Sequence, residues 1–192
     1  LIMVDDCHAT GFLGNEGRGS AEYHGVLDDI DIITSTFGKA LGGASGGFIS
    51  SSSEIVETLR QKSRPYLFSN SLAPPLVAAC IKVFEIITKD YSYKKKLEEN
   101  TAYFRNGIKS IGLDIKGKDH PIVPIMIYDA KKAVEMSEKL LEKEIYVIAF
   151  SFPVVPKDEA RIRVQISASH SKKQIDNAIN AFGEVAKELN II

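Results

Sequence analysis

The chain has 192 residues, 44% of them hydrophobic and 26% charged, which is the composition of a globular protein with room for one large domain or two small ones. Its 24 basic and 25 acidic side chains leave a net charge of −1, which argues against the basic stripe of a nucleic-acid binder and the acidic tail of a disordered segment. Two cysteines, Cys7 and Cys80, make neither a disulfide framework nor a metal ladder. No apolar run approaches the ~20 residues of a membrane span, and a cytoplasmic protein without a membrane partner is the expectation.

In chain order, LIMVDD reads as a strand buried on both faces, with polar groups at its C-terminal end. The chain opens on this stretch with no methionine, and a domain rarely begins with its most buried strand. Further residues upstream are therefore expected, this chain being the C-terminal part of a longer protein. The loop CHATGFLGNEGRGS follows, with four glycines. DIDIITST (29–36) and GGFISS (46–51) read as a second and a third strand. SSEIVETLRQKS (52–63) is a helix with Ile55, Val56 and Leu59 at helical spacing. LAPPLVAACIKVFEIITKD (72–90) is a strongly apolar helix whose prolines fall in the first turn, with Cys80 in the core.

From about Tyr91 the texture changes. YSYKKKLEENTAYFRNGIKSIG is a charged amphipathic helix, and HPIVPIMIYD (120–129) is a strand. AKKAVEMSEKLLEKE (130–144) is a helix with Ala133, Val134, Met136, Leu140 and Leu141 on one side. IYVIAF (145–150) and ARIRVQIS (160–167) are strands, the latter pointing Ile162, Val164 and Ile166 inward and Arg161, Arg163 and Gln165 outward. Ser171 and Gln174 form a capping box for a last helix that carries Ile175, Ala178, Ile179, Phe182, Val185 and Leu189. The expected organisation is an α/β domain over 1–90 and a smaller α+β domain over 91–192.

The stretch STFGKALGGASGG (35–47) sets one lysine, Lys39, among five glycines and three hydroxyl residues. A phosphate-binding P-loop fails on both counts, because position 33 is Ile and position 40 is Ala. A metal held by Asp5, Asp6 and His8 is set aside, since adjacent strand residues point to opposite faces. A third reading is a Schiff-base lysine serving pyridoxal phosphate. That chemistry needs a carboxylate for the ring nitrogen, for which Asp5 at a strand end is suited, and hydroxyl or backbone groups for the phosphate, which Thr36 and the glycines supply. An arginine for an amino-acid carboxylate completes the set, with Arg163 a candidate beside Arg161. By residue type alone, Lys39 also reads as a loop lysine, Asp5 as a cap, His8 as a structural histidine and Thr36 as a β-branched strand residue.

VDDCHATGFLGNEGRGS, DIITSTFGKALGGASGGFIS, SRPYLFSNSLAPP and ARIRVQISASH, in that order, resemble the α-oxoamine synthases, a family of fold-type I pyridoxal-phosphate-dependent enzymes. The blocks span residues 1 to 170, and ALGGASGG and RPYLFSNSLAPP look most like the glycine C-acetyltransferase branch. The resemblance implies the C-terminal part of a fold-type I transferase: part of the large mixed-sheet domain, then the small C-terminal domain. It implies reversible acyl transfer from acetyl-CoA to glycine, giving 2-amino-3-ketobutyrate and CoA, within threonine breakdown. It assigns Lys39 as the Schiff-base lysine, Asp5 to the pyridinium nitrogen, His8 to the phenolic oxygen and Thr36 to the phosphate. Phe68 and Ser69 would reach the phosphate of the neighbouring subunit of a homodimer, and Arg163 would bind the glycine carboxylate. No metal is implied. In the family a ring-stacking histidine and part of the phosphate cradle lie upstream of the residues matched here. The alternatives are another α-oxoamine synthase, of the 8-amino-7-oxononanoate or 5-aminolevulinate type, and a non-catalytic fragment.

Overall fold

Strand β1 (Met3–Asp5) runs into a buried carboxylate. Asp6 is only 3% exposed, and its carboxylate accepts from the Ser20 backbone N–H (3.0 Å), the Ser20 hydroxyl and the Thr10 hydroxyl (3.0 Å). These bonds fold the loop after β1 back on itself, up to the short helix α1 (Ser20–Tyr23). Gly19 has φ +105°, and a Cβ there would lie 1.6 Å from Asp6 Oδ2, so glycine is required. A 3-10 turn at Leu27–Asp29 then leads into β2 (Ile32–Thr36), and β3 (Gly47–Ser51) follows.

The computed structural model describes residues 1–43 and 45–192; Ala44, inside the ALGGASGG stretch, lies outside the described residues. Two compact units make up the chain, Leu1–Ser92 and Tyr93–Ile192. In the first, the sheet order is β1-β2-β3. β1 pairs parallel to β2, with Asp5 opposite Thr34, and β3 pairs antiparallel to β2, with Thr36 opposite Gly47. The sheet is therefore mixed. Helices α2 (Ser53–Lys62), α3 (Arg64–Phe68) and α4 (Pro74–Ile87) follow, with Pro74 and Pro75 at the start of α4, where a missing N–H costs nothing. Phe37, Phe48 and Phe84 join α4 to the β2–β3 region, with ring centroids 5.3 to 6.4 Å apart.

Two expectations about burial change here. β1 was expected to be buried on both faces, yet Met3 is 62% exposed. The strand forms an edge of its sheet, and its apolar side chains lack a covering layer among the described residues. In α4 only Cys80 is buried, while Ile81 is 57% exposed. An apolar helix is buried only as far as partner surface exists, and here its apolar area exceeds what this chain covers.

The second unit is an antiparallel sheet of order β4-β6-β5: β4 (Ile122–Tyr128), β5 (Ile148–Phe150) and β6 (Ala160–Gln165). Helices α5 (Ser92–Ser110), α6 (Ala130–Glu142) and α7 (Lys172–Glu188) share one core with it. Phe104, Ile125, Met136, Leu140, Ile162 and Phe182 are fully enclosed, and the Phe104 and Phe182 rings meet edge to face at 6.3 Å. The alternation of β6 holds, with Ile162 and Val164 buried and Arg163 and Gln165 exposed. The capping box of Ser171 and Gln174 starts α7. On α6 the stripe is narrower than expected: Ala133, Met136 and Leu140 are buried, but Val134 and Leu141 are exposed. Each of these two follows a stripe residue by one position, about 100° around the helix, which carries it off the buried face.

Arg105 on α5 is the one buried cation of this core among the described residues. Its guanidinium donates to the carbonyls of Lys116 (3.1 Å), Gly117 (3.2 Å), His120 (2.8 Å) and Ile122 (3.4 Å). Burial pushes its pKa down from the usual value, and the charge of Asp119 opposes that.

The buried ring pair of Phe104 and Phe182 and the exposed Val134 of α6 define a stability contrast. Phe104→Ala should cost about 3–5 kcal/mol in urea denaturation followed by circular dichroism, while Val134→Ala should stay within about 0.5 kcal/mol. Equal losses from the two would contradict the core drawn above.

Candidate active site

Lys39 stands on the turn between β2 and β3. Phe37 N–H donates to Gly46 O (3.0 Å), Gly43 N–H to Phe37 O (2.7 Å) and Gly42 N–H to Lys39 O (3.0 Å), so the backbone closes twice around the lysine. Leu41 is buried beneath the turn and Lys39 is exposed above it. The glycines on either side were expected to admit a cofactor. At two of them the close neighbour is the chain itself. A Cβ on Gly43 would lie 2.6 Å from Cys80 Sγ and 2.9 Å from Phe37 Cβ. One on Gly46, at φ +83°, would lie 2.2 Å from a Leu72 methyl. The glycine richness is thus set in part by α4 and its leading segment pressing on the loop.

Asp5 ends β1 and Thr36 ends β2, and the two strands are parallel, so both sit at the carboxyl edge of the sheet. The Asp5 carboxylate is exposed and accepts from Cys7 N–H at 3.0 Å. The Cys7 thiol hydrogen-bonds it as well. Together with the nearby charges of Lys39 and His8, these bonds hold the Asp5 carboxyl below its ordinary range. In turn the Asp5 carboxylate pushes the Cys7 thiol up. Asp5, His8 and Lys39 are therefore brought within electrostatic reach of one another. Thr36 is locally engaged: its hydroxyl donates to Gly46 O (3.0 Å) and accepts from Gly38 N–H (3.1 Å).

Phe68 and Ser69 lie at the end of α3. Phe68 is 79% exposed, with the Arg64 guanidinium 5.5 Å from its ring centre, and Ser69 N–H closes the helix on Pro65 O. Arg163 belongs to the second unit. Strand alternation left it indistinguishable from Arg161, and the structure separates the two. Arg161 is bound to Glu159 through Nε to the carbonyl (2.9 Å) and Nη2 to the carboxylate (2.6 Å), whereas Arg163 is exposed and stacks on Phe150 at 4.5 Å. Cys7, to which the sequence assigned no chemistry, is the closest partner of Asp5. The signal was present in the spacing, because a carboxylate readily accepts from the N–H two residues on.

Among the described residues no helix is long and apolar enough to cross a membrane. Residues 1–182 match the family described as aminotransferase class I and II. The chain is 50% identical over all 192 residues to the 2-amino-3-ketobutyrate coenzyme A ligase of Salmonella typhimurium, covering 48% of that protein. It is 43% identical over 192 residues to the 8-amino-7-oxononanoate synthase of Petrotoga mobilis, covering 49% of it. A solved serine palmitoyltransferase variant from S. paucimobilis, with a bound PLP–myriocin aldimine, superposes with a TM-score of 0.93 at 29% identity, over all of this chain and 48% of that one. The chain spans about half the length of the curated relatives it matches. With Asp5 and the Lys39 turn at the carboxyl edge of a mixed sheet, and a family match over residues 1–182, the chain belongs to the class I and II aminotransferase family.

Proposed function

We propose that this chain carries the Lys39 half of a pyridoxal-phosphate-dependent C-acyltransferase. The enzyme would join glycine and acetyl-CoA reversibly, giving 2-amino-3-ketobutyrate and CoA. The observation that carries this reading is geometric: Asp5 ends β1 and the Lys39 turn follows β2, the strand parallel to it, so both lie at one carboxyl edge of the sheet. The likeness to a 2-amino-3-ketobutyrate coenzyme A ligase over every residue supports the choice of substrates.

The residues present fit the cofactor's needs. A carboxyl held below its usual range is an anion at neutral pH and suits a protonated ring nitrogen. An exposed amine on a braced turn suits a carbonyl carbon. When bound, pyridoxal phosphate supplies an electron sink for the negative charge that develops beside the amino group. Asp5 then keeps the ring nitrogen protonated, and His8 holds the phenolic oxygen. Thr36 contacts the phosphate by turning its hydroxyl proton away from Gly46 O, to which it donates otherwise. Lys39 Nζ anchors the cofactor and, once released, takes the proton from the glycine Cα and returns one at the end. Arg163 grips the glycine carboxylate with two N–H groups. Phe68 and Ser69 serve the phosphate of a second subunit, which makes the working form a homodimer, and the setting is the cytoplasm.

A second reading is a related synthase that joins another amino acid and a longer thioester. The 43% identity to an 8-amino-7-oxononanoate synthase favours it. Rates with glycine and acetyl-CoA against alanine and longer acyl-CoA thioesters separate the two, and a preference for the latter pair would replace the first reading.

Borohydride reduction of the protein loaded with pyridoxal phosphate should fix a pyridoxyl group on the Lys39 peptide, read by mass mapping. Lys39→Ala should lose that label and at least about 10²-fold in turnover. A label on another lysine would overturn the assignment. Asp5→Asn should retain the cofactor while turnover falls by about 10²-fold, because a neutral amide no longer holds the ring proton. Unchanged kinetics would make Asp5 a structural group.

A further inference from the structure

Phe150 ends β5, and β5 pairs antiparallel with β6 so that Phe150 faces Arg161 and Ile148 faces Arg163. Phe150 is therefore the diagonal neighbour of Arg163, two residues along the strand, within reach of a long side chain. The contact is made: the Arg163 guanidinium carbon lies 4.5 Å from the centre of the Phe150 ring. Both residues line a cleft of about 650 Å³ in the second unit. Among the described residues Arg163 forms no ion pair, in contrast to Arg161, which is held by Glu159.

We infer that Phe150 is a positioning residue for Arg163, holding its guanidinium flat against the ring so that its N–H edge stays open to the α-carboxylate of an amino acid. This rests on the reading of Arg163 as the carboxylate-binding group. The physical basis is the division of an arginine into a face and an edge. The ring's π face attracts the cation from one side and leaves the in-plane donors untouched. A carboxylate needs two of those donors, side by side and in one plane. An arginine without the ring must lose rotamer freedom each time it binds, whereas one stacked beforehand has lost it already. Neutralising Arg163 with a second carboxylate would also fix it, but would consume the donors. Arg161 shows that arrangement two residues earlier on the same strand face.

The test uses the parent and three variants of the protein as expressed from its gene, loaded with pyridoxal phosphate. Phe150→Leu should raise KM for glycine about five- to tenfold, with kcat within about twofold, the loss expected for one partly exposed cation–π contact. Phe150→Tyr keeps the π face and should restore KM to within about twofold of the parent. Independently of turnover, the Arg163 side-chain proton resonances should carry an upfield ring-current shift in the parent and in Phe150→Tyr, and lose it in Phe150→Leu. Arg163→Ala separates the two ideas. If it raises KM for glycine while Phe150→Leu leaves KM and the ring-current shift unchanged, the role of Phe150 is overturned and the reading of Arg163 stands. If Arg163→Ala leaves KM for glycine unchanged, the reading of Arg163 falls and the inference falls with it. An increase for both Arg163→Ala and Phe150→Leu, with Phe150→Tyr close to the parent, supports both.

Discussion

The geometry of the first unit depends on one buried carboxylate. Asp6 takes up donors from Ser20 and Thr10 and ties down the loop that leaves β1. Because neighbouring residues on a strand point to opposite faces, an inward Asp6 leaves Asp5 outward. The two acids thus divide the work by position. One satisfies the loop, and the other is free to meet Cys7, His8 and Lys39 at the surface. A charge buried without partners would be costly, and the hydrogen bonds to Asp6 offset that cost.

The lysine turn is held in a second way. Its backbone hydrogen bonds close it locally, and Cys80 and Leu72 press on Gly43 and Gly46 from outside. The phenylalanine cluster of residues 37, 48 and 84 ties the same loop to α4. A lysine that must meet a carbonyl carbon gains from such support, since a group held in place has little freedom left to lose. The same close packing accounts for glycine at positions 43 and 46.

Much of this was legible in the sequence, and the failures have a common cause. Strand and helix periodicity identified the six strands of the described residues and the long helices, and the Ser171–Gln174 box marked the start of α7, because these signals are local. Burial was not legible for β1 and α4, because apolar composition reports what a segment can bury and not what is there to bury it. The packing at Gly43 and Gly46 was not legible for a related reason: a sequence shows that backbone must be approached, but not by what. Arg161 and Arg163 could not be told apart by alternation, since both lie on one face. Their difference comes from Glu159 on one side and Phe150 on the neighbouring strand. A contact between strands is invisible in a single chain of letters.

The clamp that Arg105 places on the segment from Lys116 to Ile122 has a consequence for how this region can diverge. Its guanidinium grips carbonyl oxygens, which every residue type presents alike. Side chains along the segment can therefore drift with little effect on the clamp. The number of residues cannot, because an insertion would move the carbonyls out of the fork's fixed reach. Among related proteins this stretch should vary in composition and hold its length, the reverse of an ordinary surface loop.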